Sequence, residues 1–441
     1  MSTLSHHQHG SKGESNTKQF AMWALATLGI QVSTEDGHLY QFEVPESERD
    51  YFNGRDQVVF SASGEQPDPT FADVQRLTSQ AEFIGQLAER LQAKGRWVHA
   101  MPTRQPASVH SLTPKLFESF SVEKGTVRLA GCSLEDRPIL RLTFRHPGMQ
   151  AGAGKLVHTY IDLEGVVFTA DQVQQLGLEE LRPWDQKPPQ LDDHQVSHFE
   201  SLVRTKPPSN GVGWELLVAT IAWCKFATGK LALVVGEHSV DVPFSGWAKM
   251  LADGHTQPGP YQCPISGEQT YRVAAIDDGR IVSTLAVVQC DQSGQRTISD
   301  DLVTCPVTGR RALHSFFEVC PVSGERVLAV ALAPCPVCQQ RVNPQVIKGN
   351  ACLACRSMRS VRKEDPRMAR LLDEYPGLDH WRKWKLFESS RVYILQTAGL
   401  ARSLLLVFDK ESMEPYRVAM AGRFSSTWAD VSDLQRDEIL G

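Results

Sequence analysis

The sequence lacks the features that most readily betray a function. No run of about 18 apolar residues occurs, so no transmembrane helix is expected. Met1 to Lys18 is polar and rich in His, Ser and Gly, without the apolar core of a secretory leader. No Walker loop and no Gly-x-Gly-x-x-Gly turn sits at a strand-to-helix junction, and His-Glu-x-x-His is absent. The usual grounds for a nucleotide motor, a dinucleotide enzyme or a zinc protease are therefore missing. Neither sign of charge dominates: 46 Lys and Arg stand against 51 Asp and Glu, a net charge of -5. The whole molecule is not a nucleic-acid polycation. Carboxylate pairs such as Glu179-Glu180 and Asp192-Asp193 are neighbours in sequence, not groups placed to face one another.

What is present is ordinary globular material. Of 441 residues, 41% are hydrophobic and 22% charged, enough for several cores and about three domains. The expected fold class is multidomain α+β, with a small zinc ribbon inside an array of short β-hairpin repeats. Residues 1–17 read as a disordered tail whose His6, His7 and His9 bind metal weakly at most. An α+β domain is expected over 18–120, with a helix from Lys18, strands at Leu39–Val44 and Gln57–Ser61, and an amphipathic helix from Val74 to Ala93. A mainly β region follows over 121–190, with separate strands at Thr126–Leu129, Ile139–Phe144 and Leu156–Ile161. Pro147 to Gly154 reads as a long turn. Residues 191–255 are expected to hold helices at Asp192–Val203 and Trp214–Ala227, then a hairpin from Leu231–Val235 and Ser239–Val242.

Residues 256–360 repeat themselves. Cys263-Pro-Ile-Ser-Gly, Cys305-Pro-Val-Thr-Gly and Cys320-Pro-Val-Ser-Gly are versions of one motif, and Cys290-Asp-Gln-Ser-Gly is a looser copy. From Cys290 to Cys335 the first cysteines fall fifteen residues apart, so each copy reads as a turn followed by short strands. The last copy, Cys335-Pro-Val-Cys338, has a second cysteine where the others carry Ser266, Ser293, Thr308 and Ser323. Neutral hydroxyls are poor zinc ligands beside thiolates, so the earlier copies read as turns without metal. The alternative, a second four-thiolate site from Cys263, Cys290, Cys305 and Cys320, needs those cysteines closer than a row of hairpins would set them.

With thirteen residues between them, Cys338 is followed by Cys352-Leu-Ala-Cys355. Two such knuckles bring four thiolates into a tetrahedron around one zinc, with no place left for water or substrate. Ten cysteines with this spacing fit a reducing cytoplasm better than disulfides.

The C-terminal domain, 361–441, follows a basic stretch. Arg356, Arg359, Arg362 and Lys363 precede Trp381-Arg382-Lys383-Trp384-Lys385, where cations alternate with aromatics. Such a segment could hold phosphates and stack bases. The preferred reading has Trp381, Trp384 and Leu386 facing a core while the cations face water. Pro366 is expected to open a helix capped by Asp365. Three antiparallel strands are expected at Val392–Gln396, Ser403–Phe408 and Tyr416–Met420, then an acidic helix from Val431 to Leu440.

No catalytic residue is nominated. His194 and His198 lie one above the other on their expected helix and, with Asp193, are candidate metal ligands; a solvated polar face is the preferred reading. Cys224, beside Lys225, reads as a packed thiol, and Cys132 as a turn residue without an adjacent His. Gly422 to Trp428 reads as a loop with an aromatic anchor rather than an anion site.

Two resemblances bear on function. Cys335 to Cys355 resembles the zinc-ribbon family at its four cysteines. Gly37 to Ser63 with Ala81 to Gly95, and Arg137 to His146 with Leu156 to Gly165, resemble the region after the motor in bacterial Swi/Snf-type helicases. The second resemblance implies an accessory part working beside a separate motor, and carries over no functional residue. Together these readings describe a non-enzymatic adaptor or scaffold subunit with protein partners and no membrane contact. A nucleic-acid-binding module using 356–385 is the first alternative, and an enzyme with a site in the middle region is the second.

Overall fold

The computed structural model describes residues 8–36, 39–61, 74–146, 155–205, 213–389, 391–425 and 427–441. The chain divides into two units, Met1–Ala274 and Ala275–Gly441, and its architecture is mixed α+β.

In the first unit a helix spans Gln8–Leu28, starting ahead of the expected Lys18. Residues 1–7 of the expected tail lie outside the described residues. Strands Val32–Asp36, Leu39–Glu43, Gln57–Ser61 and Val74–Arg76 form a four-stranded sheet in that order. The amphipathic helix is shorter than expected, Glu82–Ala93, because the β-branched Val74 starts a strand and the helical period begins only at Phe83. That helix covers the sheet: the Phe83 ring lies 5.6 Å from Phe42 and 5.4 Å from Phe60.

The larger sheet of this unit is organised by two strands of 21 residues, Thr126–His146 and Glu215–Val235, paired antiparallel along their length. Both correct the sequence reading. The expected gap between Thr126–Leu129 and Ile139–Phe144 is continuous strand, and Pro138 pairs with Trp223. Trp214 to Ala227, expected as a helix, belongs instead to the second long strand. A short apolar run buried on both faces has no period that separates helix from strand. Here both faces are covered. Ile221 and Trp223 pack with Phe199 and Leu202 of the helix Asp193–Thr205, while Ala222 and Cys224 pack with Leu176 and Leu178. The expected hairpin is present: Val235 pairs with His238 across a two-residue turn at Gly236, whose φ of 59° suits glycine. The expected turn at Pro147 to Gly154 lies outside the described residues.

In the second unit short antiparallel hairpins succeed one another. Val287–Gln289 pairs with Arg296–Ile298, Leu302–Thr304 with Arg311–Leu313, Phe317–Val319 with Arg326–Leu328, and Ala333–Pro334 with Arg341–Val342. Each hairpin turns at a Cys-containing tip, and a three-residue 3-10 turn joins it to the next. The hairpins pack on a six-stranded sheet whose central strands are Val392–Ala398, Arg402–Asp409 and Pro415–Gly422. Val392, Ile394, Leu405 and Val407 face the cysteines of the hairpins. Tyr393, Leu395, Leu404, Leu406 and Phe408 face Met368 and Leu371 of the helix Pro366–Glu374. Burial on both faces explains the unbroken apolar run Leu404 to Phe408. The helix starts as expected, with the Asp365 side chain accepting from the Arg367 N–H at 3.0 Å.

Candidate metal centre

The five hairpin tips that begin at Cys263, Cys290, Cys305, Cys320 and Cys335 share one backbone, whereas Cys352 caps a short helix, Leu353–Arg356. In the last one the Cys335 N–H donates to the Gln340 carbonyl at 3.0 Å, and the Gln339 N–H donates to the Cys335 carbonyl at 2.8 Å. The tips at Cys263, Cys290, Cys305 and Cys320 repeat both bonds at 2.8–2.9 Å. This closure forces the fifth position into the left-handed region. Gly294, Gly309 and Gly324 take φ values of 72–74° there, and Gln339 takes 58°. The metal knuckle alone places a side chain where the other copies use glycine.

The fourth position decides what each tip can do. In the earlier copies the hydroxyl accepts from the backbone N–H two residues on: Ser266 from Glu268 at 3.4 Å, Ser293 from Gln295 at 3.3 Å, Thr308 from Arg310 at 3.3 Å and Ser323 from Glu325 at 3.4 Å. The hydroxyl thus completes the turn. In the last copy a thiol replaces it and faces three others.

Cys335, Cys338, Cys352 and Cys355 place their sulfurs within 4.8 Å of one another, and the group could hold a metal ion. The Cys338 and Cys352 sulfurs are 3.8 Å apart, and those of Cys352 and Cys355 are 3.6 Å apart. A tetrahedron of zinc–sulfur bonds about 2.3 Å long has edges of about 3.8 Å, close to these two separations. Three of the thiols are buried and Cys355 is half-buried. The Cys352 N–H donates to the Cys335 sulfur at 3.2 Å, an arrangement that favours a thiolate there. Hydrogen bonding from Cys338, and then from Cys352 and Cys355, holds Cys335 far below the usual thiol range. Hydrogen bonding to Cys335, and then to Cys338 and Cys352, pushes Cys355 far above it. Four thiols so close cannot all ionise unless a cation joins them.

Contacts around the knuckle fasten it to the sheet. The Arg417 guanidinium, only 7% exposed, donates to the Val337 carbonyl inside the knuckle and, through Nε at 2.5 Å, to Asp430 Oδ1. Gln339 Nε2 donates to the other oxygen of Asp430 at 3.4 Å. Sequence reasoning missed Arg417 and Asp430. Gln339 carried a visible signal, since it breaks the glycine pattern of the other copies.

Cys263, Cys290, Cys305 and Cys320 are buried, and among the described residues they belong to no group of three or more close metal-type ligands. The thiols of Cys290, Cys305 and Cys320 instead pin the array. The Cys320 sulfur accepts from the Asn343 N–H at 3.2 Å and the Ser323 N–H at 3.4 Å. Burial pushes this thiol up, but these N–H groups and the Ser323 hydroxyl hold it below its ordinary value. Cys290 and Cys305 receive equivalent bonds from the backbones of Leu313 and Leu328. Each sulfur thus reaches 23 residues along the chain, into the next hairpin.

The other candidates are dispersed. Trp384 is 2% exposed and sits in the core with Met368 and Leu371, so it offers no face to a base. Trp381 is half-buried. Lys363 is paired with Asp379, and Arg356 donates to the Ala351 and Val346 carbonyls. Arg359, Arg362, Arg382, Lys383 and Lys385 are exposed. Arg359 and Arg362 border a cleft of about 820 Å³ that also contains Glu364, Asp365 and Glu388. The His194 and His198 rings lie parallel, with centroids 6.4 Å apart, and among the described residues they join no metal-type cluster. Cys224 is buried in a strand, and burial followed by the charge of Asp136 pushes its thiol up, away from nucleophilic use. Cys132 lies in a strand rather than the expected turn, and burial also raises its thiol.

No helix among the described residues is long and apolar enough to cross a membrane. No family model, no curated protein and no solved structure matches the chain.

Proposed function

We propose that the chain is a non-enzymatic, zinc-ribbon adaptor of a cytoplasmic multiprotein assembly, working beside a nucleic-acid motor. The observation that carries this reading is the closed set of four thiols at the end of the hairpin series. Zinc bound by Cys335, Cys338, Cys352 and Cys355 would supply cross-linking, not a reactive water, because no coordination position remains. The short strands of the ribbon have too little core to order alone, and metal binding would contribute the missing folding energy. Arg417 and Asp430 then pass that order to the six-stranded sheet. A rigid array on a two-sided sheet suits presentation of surface to partners.

Affinity capture from the native cell tests this reading. The expected result is a defined protein complex retained by the wild-type chain and lost for Cys338→Ser/Cys355→Ser. A wild-type chain that purifies alone, or a complex indifferent to that double substitution, would overturn it.

A further inference from the structure

Away from the metal centre, one end of the six-stranded sheet carries an unusual surface. The turn between Ala398 and Arg402 presents Leu400, 93% exposed, and the turn after Gly422 presents Phe424, 97% exposed. The two turns are neighbours: Arg402 pairs with Gly422, and the Arg423 N–H donates to the Ala401 carbonyl at 3.0 Å. Arg382 and Lys385 reach the same end, since Thr397 Oγ1 donates to the Arg382 carbonyl at 2.6 Å and Lys385 pairs with Gln396.

Isolated exposed apolar residues need no explanation. A nearly bare aromatic ring among cations does. Arg382, Lys383, Lys385, Arg402 and Arg423 are exposed, and among the described residues none forms an ion pair. The Arg423 guanidinium lies 5.8 Å from the centre of the Phe424 ring. Arg402 and Arg423 lie on neighbouring strand ends, about 5 Å apart, beside the ring. Cations placed there match the phosphates of a polynucleotide. A free ring with a guanidinium beside it matches the stacking of an unpaired base. A duplex keeps its base faces hidden, so the ring favours a single strand.

We propose that this sheet end binds single-stranded nucleic acid, with Phe424 as the stacking platform and Arg402 and Arg423 as the main phosphate contacts. Trp384, which the sequence alone would nominate for stacking, holds the core behind it. The proposal does not depend on the adaptor reading, because it needs neither zinc nor a protein partner.

The test is fluorescence anisotropy of a labelled oligothymidylate titrated with the zinc-loaded full chain, beside sedimentation with vesicles containing or lacking phosphatidylserine. The expected result is binding that weakens with salt, with a logarithmic slope no steeper than about -3.5 for five cations. Phe424→Ala should weaken it about tenfold and Phe424→Trp should retain it. Arg402→Glu/Arg423→Glu should abolish it. These residues are exposed, so thermal unfolding of the variants should match wild type and exclude misfolding as the cause. No binding to the oligonucleotide overturns the proposal. So do capture by anionic vesicles without oligonucleotide binding, and wild-type affinity in both Phe424→Ala and the charge-reversal pair.

Discussion

Removing the Arg417 side chain should uncouple the metal knuckle from the sheet. Arg417 is 6% exposed at its side chain and bonds at once to Asp430 and to the Val337 carbonyl, while Asp430 is 54% exposed. A hydrogen bond to a charged group contributes about 1.5–3 kcal/mol, and the exposed carboxylate reduces that by screening. Arg417→Ala therefore costs about 2 kcal/mol, most of it from the stranded Val337 carbonyl and lost packing. For a unit of this size the matching fall in Tm is about 4–8 °C. Calorimetry of the zinc-loaded protein reads this directly, and a double-mutant cycle with Asp430→Ala isolates the pair. The coupling should exceed about 0.5 kcal/mol, because the two residues share one network. Arg417→Lys should recover only part of the loss, since an ammonium cannot span both acceptors with a fixed fork. A Tm unchanged in Arg417→Ala would refute the claim that this residue fastens the ribbon.

Three further outcomes follow from the same geometry. Burial, then the charge of Arg141, lowers the His158 imidazole from its ordinary 6.5 to about 3, so between those pH values the unfolded chain takes up a proton that the folded chain refuses. Stability should fall as pH drops below about 6.5, by up to about 1.4 kcal/mol per unit, and urea unfolding of His158→Gln at pH 7.5 and 5.5 should show that share of the slope gone. Gln339→Gly should stabilise the knuckle by about 0.5–1 kcal/mol by relieving a left-handed residue, whereas Gly324→Ala, at φ 74°, should destabilise its hairpin by about 1–2 kcal/mol; denaturant midpoints check both. Trp384→Ala should cost about 3–5 kcal/mol as a core cavity, measured by thermal unfolding, and leave any oligonucleotide affinity of the folded protein unchanged.

What could be read from the residues depended on how local the cause was. The knuckles are made by five or six consecutive residues, so Cys335, Cys338, Cys352 and Cys355 were visible as a group from spacing alone. The Ser and Thr replacements were visible too, although their bonds to the N–H two residues on were not. The helix at Pro366 and the strands through Ile394, Leu406 and Val418 were readable from a proline, a cap and turn residues. Failures came where partners lie far apart in the chain. Trp214 to Ala227 is a strand because Thr126–His146 and two layers of side chains surround it, and its own period cannot say so. Arg417 meets Val337 from 80 residues away, with no motif to announce it. Leu400 and Phe424 become one surface only when the sheet brings two turns together.

The central claim is that the four thiols are a closed zinc site ordering the end of the hairpin array. Metal analysis of the protein purified without added zinc, alongside Cys338→Ser/Cys355→Ser, tests it most directly. One zinc per wild-type chain, lost in the double variant together with the thermal transition of the second unit, is the predicted result. No bound zinc in the wild type, or a zinc retained by the variant, would contradict it.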